Sequence, residues 1–131
     1  RAGRAAAEAA SRGSSRPAVG RKRVEFPPLP REGETLLERS AELFYSNLTI
    51  VRTKSGLEEV LHFVNRHRGN SNLLVQNRLG VGEILATAAL TREESRGTHY
   101  REDFPKADPA WVKRVFISRG KDGVPTVEVL P

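Results

Sequence analysis

The stretch from Asn72 to Glu94, NLLVQNRLGVGEILATAALTREE, is the most apolar run in the chain, and the fold turns on how it is read. Leu74, Val81, Leu85 and Ala88 fall on one line of a 3.6-residue period, and Leu79, Ala86, Ala89 and Leu90 widen it. A wide stripe with several Ala predicts a helix over about 72–94 with close neighbours on more than one side, the central helix of a bundle. Gly97 stands where a C′ terminator belongs. Gly80-Val81-Gly82 lies inside this helix, and residue 85 is Leu. A dinucleotide fingerprint needs its glycines between a strand and a helix, so none is present here. The two glycines instead predict close helix packing, at a cost of about 1 kcal/mol each against Ala.

Upstream, Leu37, Ala41, Phe44, Leu48 and Val51 are spaced as one helical stripe and predict a helix over about 34–52. Thr53-Lys54-Ser55-Gly56 breaks it. Ser55, with Glu58 three residues on, forms a capping box that opens a second helix over about 55–67, with Leu57, Val60, Leu61 and Val64 as its stripe. Gly69-Asn70-Ser71 ends that helix and caps the next. Downstream, Asp108 as cap and Pro109 at the first helical position predict a short turn at Trp111. Val115-Phe116-Ile117 and Val127-Glu128-Val129, joined across Asp122-Gly123, predict a hairpin. The expected fold is mainly α: a three-helix bundle with a short C-terminal β hairpin.

The 131 residues, 37% hydrophobic and 29% charged, suit one domain plus a tail. The absence of Cys excludes disulfides, thiolate metal sites and Cys nucleophiles. No apolar run reaches the roughly 18 residues of a membrane span. The chain starts at Arg1 and contains no Met, which suggests a piece of a longer protein. The formal charge of +6 is concentrated at the start. Arg1, Arg4, Arg12, Arg16, Arg21, Lys22 and Arg23 face a single acid, Glu8, and the rest of the chain is formally neutral. Residues 1–10 favour helix through their Ala but offer little to bury, as at the end of a helix whose packing partner lies elsewhere. Residues 11–33, rich in Ser, Gly, Pro and basic side chains, have the composition of a linker. The domain itself is expected over 34–131. Arg21-Lys22-Arg23 offers nonspecific phosphate contacts, but no aromatic is interleaved with it as a stacking platform requires, so a basic linker is favoured over a nucleic-acid module.

The candidate site is Glu93–Pro105, EESRGTHYREDFP. His99 with Asp103 is a pairing suited to acid–base work, and Arg96 and Arg101 are suited to clamping a dicarboxylate. The same residues suit a second role, with Arg side chains bonding the exposed carbonyls of a helix end. Residue types alone leave both open. His62, His67 and His99 are the only histidines, without an HExxH pattern, so no metal site is expected; His62 is expected to pair with Glu58 or Glu59.

EESRGTHYREDFP, preceded by the Ala-rich helix and followed by Trp111-Val112-Lys113-Arg114, resembles the C-terminal region of the fumarate reductase and succinate dehydrogenase flavoproteins and their relative L-aspartate oxidase. Asn72-Leu73-Leu74 resembles the start of that family's third C-terminal helix. Ile50-Val51-Arg52 followed by Ser55-Gly56-Leu57 resembles its IVR…GL junction, and Arg1 to Ala6 the helix that closes its FAD domain. The short C-terminal region is more similar to the L-aspartate oxidase branch. The resemblance implies a cytoplasmic parent enzyme that uses FAD to oxidise L-aspartate to iminoaspartate, with the FAD-binding and capping domains as partners. It implies no membrane or nucleic-acid partner. The family's substrate and flavin residues precede Arg1, so it implies no catalytic residue and no bound FAD in this piece. Arg96, Gly97, His99, Arg101 and Asp103 become, by the same resemblance, residues of a domain junction. The alternative parent is a fumarate reductase or succinate dehydrogenase flavoprotein.

Overall fold

The structure, a computed structural model, describes residues 28–131. The expected terminal helix and most of the basic linker lie outside the described residues. Helix α1 spans Arg31–Asn47, α2 Lys54–His67 and α3 Leu73–Thr91. Two short strands, β1 (Val51–Arg52) and β2 (Tyr100–Arg101), pair in parallel; β3 (Arg114–Arg119) and β4 (Pro125–Leu130) form an antiparallel hairpin. The three helices pack on one another, α2 most closely on α3, and the hairpin leans on α3. Three helices and a terminal hairpin make up the fold that the sequence predicts. Among the described residues no helix is long and apolar enough to cross a membrane.

The core is Leu36, Leu57, Val60, Val64, Val75, Leu79, Ala86 and Ala89. The stripe of α2 matches its expected face: Leu57, Val60 and Val64 are buried, and Leu61 packs against them. Burying each such side chain contributes about 1.5–3 kcal/mol. Leu37, Phe44 and Leu48 of the stripe expected for α1 pack against the core, which the helix also meets one position round. Gly33, Leu36 and Ser40 are buried while Ala41 is exposed, and the Ser40 hydroxyl donates to the Leu37 carbonyl at 2.8 Å. In α3 the buried line is Val75, Leu79, Gly82, Ala86 and Ala89, whereas Leu74, Val81 and Leu85 are exposed.

Several boundaries also differ, each for a local reason. Helix α1 begins at Arg31, after Pro30, with Glu32 and Glu34 in its first turn where a carboxylate suits the helix dipole. It ends at Asn47 rather than near 52. Thr49, Ile50 and Val51 are β-branched, and the chain turns extended there: the Ile50 carbonyl accepts from Tyr100 N at 3.1 Å and the Arg52 carbonyl from Glu102 N at 2.9 Å. The cap of α2 is Thr53, not Ser55; its extended backbone lets the hydroxyl accept from Gly56 N at 3.1 Å. The cap of α3 is Asn72, whose side-chain oxygen accepts from Leu74 N and Val75 N. Helix α3 stops at Thr91, short of 94, because Arg92 is extended. Gly97 is therefore no helix terminator. It turns the backbone, at φ 60, between Arg96 and His99. The Asp108 cap and the Asp122-Gly123 turn stand where expected.

Gly82 sits where α3 crosses α1: a Cβ there meets the Phe44 ring at 2.1 Å, whereas a Cβ on Gly80 meets nothing within 4 Å. The close-packing role expected of both glycines belongs to Gly82 alone. Gly82→Ala is expected to destabilise the fold by about 1–3 kcal/mol through overpacking. Gly80→Ala is expected to stabilise it by about 0.5–1 kcal/mol through helix propensity. Denaturant unfolding of the two variants measures both; equal shifts of one sign contradict the crossing geometry.

Candidate functional site

The chain leaves α3 through an extended Arg92 and bends at Glu94. Arg92, Glu94 and Arg96 fall together there, and Glu94 is fully buried between the two arginines. Its carboxylate accepts from Arg96 Nε at 3.0 Å, Arg96 Nη2 at 2.9 Å, Asp108 N at 3.0 Å and Arg92 Nη1. Arg92 in turn donates to the carbonyls of Trp111 at 2.9 Å and Lys113 at 2.6 Å, with its guanidinium 5.6 Å from the Trp111 ring centroid. Arg96 also donates to the Asp108 carbonyl at 3.2 Å. One buried carboxylate thus ties the end of α3 to the segment that leads into the hairpin. The Arg96 guanidinium holds the Glu94 carboxyl down at about 2, against burial acting the other way; the Asp108 amide and Arg92 reinforce it. Glu94 raises Arg96 reciprocally.

Arg101 is the second buried charge, 1% exposed. Strand pairing of Tyr100-Arg101 with Val51-Arg52 aims it at the end of α3. There Nη1 donates to the Ala89 carbonyl at 2.6 Å and the Leu90 carbonyl at 3.2 Å. Its other face makes a two-point contact with Asp103, Nε to Oδ1 at 2.8 Å and Nη2 to Oδ2 at 2.6 Å. Arg101 holds Asp103 below the usual carboxylate range. Ser95 completes the loop: its hydroxyl donates to the Phe104 carbonyl at 2.8 Å and accepts from Arg101 N at 2.9 Å.

His99 lies between these clusters. Arg52 can only donate, so the 3.0 Å contact from Arg52 Nη1 makes His99 Nδ1 the acceptor and places the proton on Nε2, which faces the Arg92 carbonyl at 3.3 Å. Arg52 also donates to the Leu48 carbonyl at the end of α1, at 3.1 Å. Burial, with Arg52, Arg101 and Arg92 nearby, pushes His99 below its ordinary value despite the bond to the Arg92 carbonyl.

The structure therefore brings Arg96, Gly97, His99, Arg101 and Asp103 into one region but does not pair His99 with Asp103. Asp103 is taken by Arg101, and His99 by Arg52. Both nitrogens of the imidazole are engaged, so it presents no free base. Sequence reasoning missed Glu94, Arg92, Arg52, Ser95 and Asp108 as members of the cluster. A single acid between two arginines, Arg92-Glu94-Arg96, is the usable signal once the run is read as lying outside the helix. His62 is exposed and forms no ion pair among the described residues; Glu58 lies instead 3.8 Å from Lys54. No grouping of three or more metal-ligating side chains occurs among the described residues.

An open cavity of about 440 Å³ adjoins the cluster, bordered by Arg92, Arg96, His99, Trp111, Lys113 and Arg114. The described residues do not fit a flavin dinucleotide. Gly80-Val81-Gly82 is mid-helix with Gly82 against Phe44, and no glycine turn joins a strand to a helix N-terminus.

Residues 69–131 match the model of the fumarate reductase flavoprotein C-terminal region. The chain is 34% identical over 125 residues to an L-aspartate oxidase of Caulobacter vibrioides, covering 93% of this chain and 22% of that protein. It is 34% identical over 95 residues to a fumarate reductase (CoM/CoB) subunit of Methanothermobacter marburgensis, covering 60% of this chain and 17% of that protein. An L-aspartate oxidase of Pyrococcus abyssi is 42% identical over 64 residues, 49% of this chain and 13% of that protein. The chain thus spans about a fifth of the length of the first two relatives.

Arg101→Met is expected to cost about 3–5 kcal/mol, because it leaves Asp103 and two helix-end carbonyls without their buried donor. Arg101→Lys is expected to recover little, since a single ammonium cannot serve both sides. Denaturant titration decides; a loss near zero contradicts the capping role. Acid is expected to unfold the chain in two stages. His99 is lowered from 6.5, so its contribution is complete above that pH and is lost as pH falls below it. Glu94 is lowered from 4.5 to about 2, so its contribution is complete above 4.5 and is lost as pH falls toward 2. In stability measured from pH 7.5 downward, His99→Gln should flatten the upper stage and leave the lower one.

Proposed function

We propose, because the chain belongs to the fumarate reductase and succinate dehydrogenase flavoprotein family as a C-terminal domain, that the enzyme it completes is an FAD-dependent L-aspartate oxidase. The observation that carries this reading is the match to the Caulobacter vibrioides L-aspartate oxidase over 93% of the chain. The reaction would convert L-aspartate to iminoaspartate, the opening step of NAD synthesis through quinolinate, in the cytoplasm. The flavin and the reacting groups would belong to the FAD-binding and capping domains of the same polypeptide, joined to this domain through the basic segment ahead of α1. This chain would be inert alone.

The geometry supports a structural part for the cluster in that enzyme. Every charged group expected to do chemistry is engaged: Arg96 by Glu94, Arg101 by Asp103 and helix-end carbonyls, His99 by Arg52 and the Arg92 carbonyl. Groups so held favour positioning a loop at a domain junction over binding substrate or accepting a proton. The second reading, a fumarate reductase flavoprotein, draws on the equal 34% identity to the Methanothermobacter marburgensis protein, over a shorter part of the chain.

The full polypeptide, loaded with FAD, is expected to oxidise L-aspartate, and the isolated domain is not. Fumarate reduction without aspartate oxidation would move the assignment to the second reading. In the full polypeptide, Arg96→Ala is expected to lower thermal stability or flavin retention while leaving KM for aspartate unchanged. A selective rise in KM at normal stability would contradict the junction role.

A further inference from the structure

The cavity of about 440 Å³ beside the Glu94 cluster is bordered by Arg92, Arg96, His99, Trp111, Lys113 and Arg114, and no Asp or Glu side chain borders it. Glu94 stands behind the wall, fully buried, with its oxygens turned to Arg92, Arg96 and the Asp108 amide. The Asp108 carboxylate also raises Arg96, but it accepts from Ala110 N at 2.8 Å and does not border the cavity. Arg96 commits Nε and Nη2 to Glu94 and the Asp108 carbonyl, which leaves its Nη1 without a partner among the described residues. Neither Lys113 nor Arg114 forms an ion pair there. Arg92 and Arg96 are fixed by their own bonds, so meeting an anion costs them little further ordering, and the exposed Lys113 and Arg114 supply the reach.

The geometry points to a binding site for a small organic phosphate, its phosphoryl dianion between Arg96, Lys113 and Arg114 and its organic part against Trp111. The donors come from separate places in the chain, Arg96 from the loop after α3 and Lys113 and Arg114 from the entry to β3. A phosphoryl group offers three oxygens in a tetrahedron to donors so spread. A carboxylate offers two in one plane, the arrangement that Arg101 gives Asp103. Small-molecule sites run from about 300 to 1,000 Å³, so the cavity has room for more than the phosphoryl group. The half-buried Trp111, with Val112 beside it, gives that remainder an apolar wall. His99 shapes the cavity without adding charge, since its two nitrogens are taken by Arg52 and the Arg92 carbonyl. Every residue of the site lies in this chain, so the site does not depend on which reaction the parent enzyme performs.

The test is calorimetric titration of the full, flavin-loaded polypeptide with phenyl phosphate, orthophosphate and citrate, at one ionic strength set with chloride. Phenyl phosphate is expected to bind severalfold more tightly than orthophosphate through the Trp111 wall, and citrate more weakly than either. Lys113→Gln together with Arg114→Gln is expected to weaken phenyl phosphate at least about tenfold, through the loss of charge-assisted contacts. Arg119→Gln together with Lys121→Gln removes the same charge from the hairpin outside the cavity and is expected to change binding less than about twofold. The site is overturned if phenyl phosphate does not bind the unsubstituted polypeptide, or if the two pairs weaken it equally, which marks general attraction to a basic surface. Citrate bound as tightly as phenyl phosphate overturns the phosphoryl class, and orthophosphate bound as tightly overturns the organic part. Aspartate oxidation is measured on the same sample: a protein that binds phenyl phosphate and ignores aspartate overturns the aspartate oxidase assignment while supporting the site.

Discussion

A guanidinium buried at the end of α3 constrains everything around it. Arg101 cannot shed its charge, so its donors must all be met inside the protein. Two structures meet them: the last turn of α3 through the Ala89 and Leu90 carbonyls, and the Asp103 loop through a two-point contact. The β1–β2 pairing fixes the backbone that carries the side chain. Helix ends ordinarily satisfy their last carbonyls with a left-handed glycine or with water. Here a side chain from ten residues beyond the helix does it, which frees Gly97 to make a different turn. The helix can therefore stop at Thr91 without a terminator, and the chain can leave it extended.

That non-helical exit is what makes the second buried charge workable. A helical path puts residues two apart on different faces, whereas Arg92, Glu94 and Arg96 meet here across the bend at Glu94. Glu94 then gathers donors from Arg92, Arg96 and the Asp108 amide, and Arg92 passes the connection on to Trp111 and Lys113. Arg52 and His99 add the link to α1 through the Leu48 carbonyl. Each buried charge has its counter-charge and its remaining hydrogen bonds, the condition under which burial of a charge is tolerated. The chemistry suggested by residue types, a His beside an Asp with two flanking Arg, dissolves because each group's nearest partner is a different one.

Legibility in the sequence followed the range of the interaction. The stripe of α2, the Asp108 cap with Pro109, and the Asp122-Gly123 turn are settled within a few residues, and each stands where the pattern placed it. The partner of His99 is Arg52, 47 residues away, and no local rule connects them. The strand β1 was hidden for the same reason. Two residues gain a strand's geometry only from Tyr100-Arg101, and Val51 alone also fits a helical stripe. Motif similarity carried information that spacing did not: EESRGTHYREDFP pointed to the family although its residues, taken singly, suggested an active site.

The misread face of α3 has a different origin. Hydrophobic periodicity fixes the phase of a helix only when one side is polar. In α3 both Leu74-Val81-Leu85 and Val75-Leu79-Ala86 satisfy a 3.6-residue period, and nothing in the run says which of them meets α1 and α2. Gly82 breaks the tie in three dimensions, since the Phe44 ring occupies the space of its missing Cβ and no larger residue lets α1 approach on that side. The line of larger side chains is then forced outward. Leu74, Val81 and Leu85 therefore stand exposed, with Arg78 between the first two, and it is the small residues of the run, Gly82, Ala86 and Ala89, that let the neighbouring helices come close.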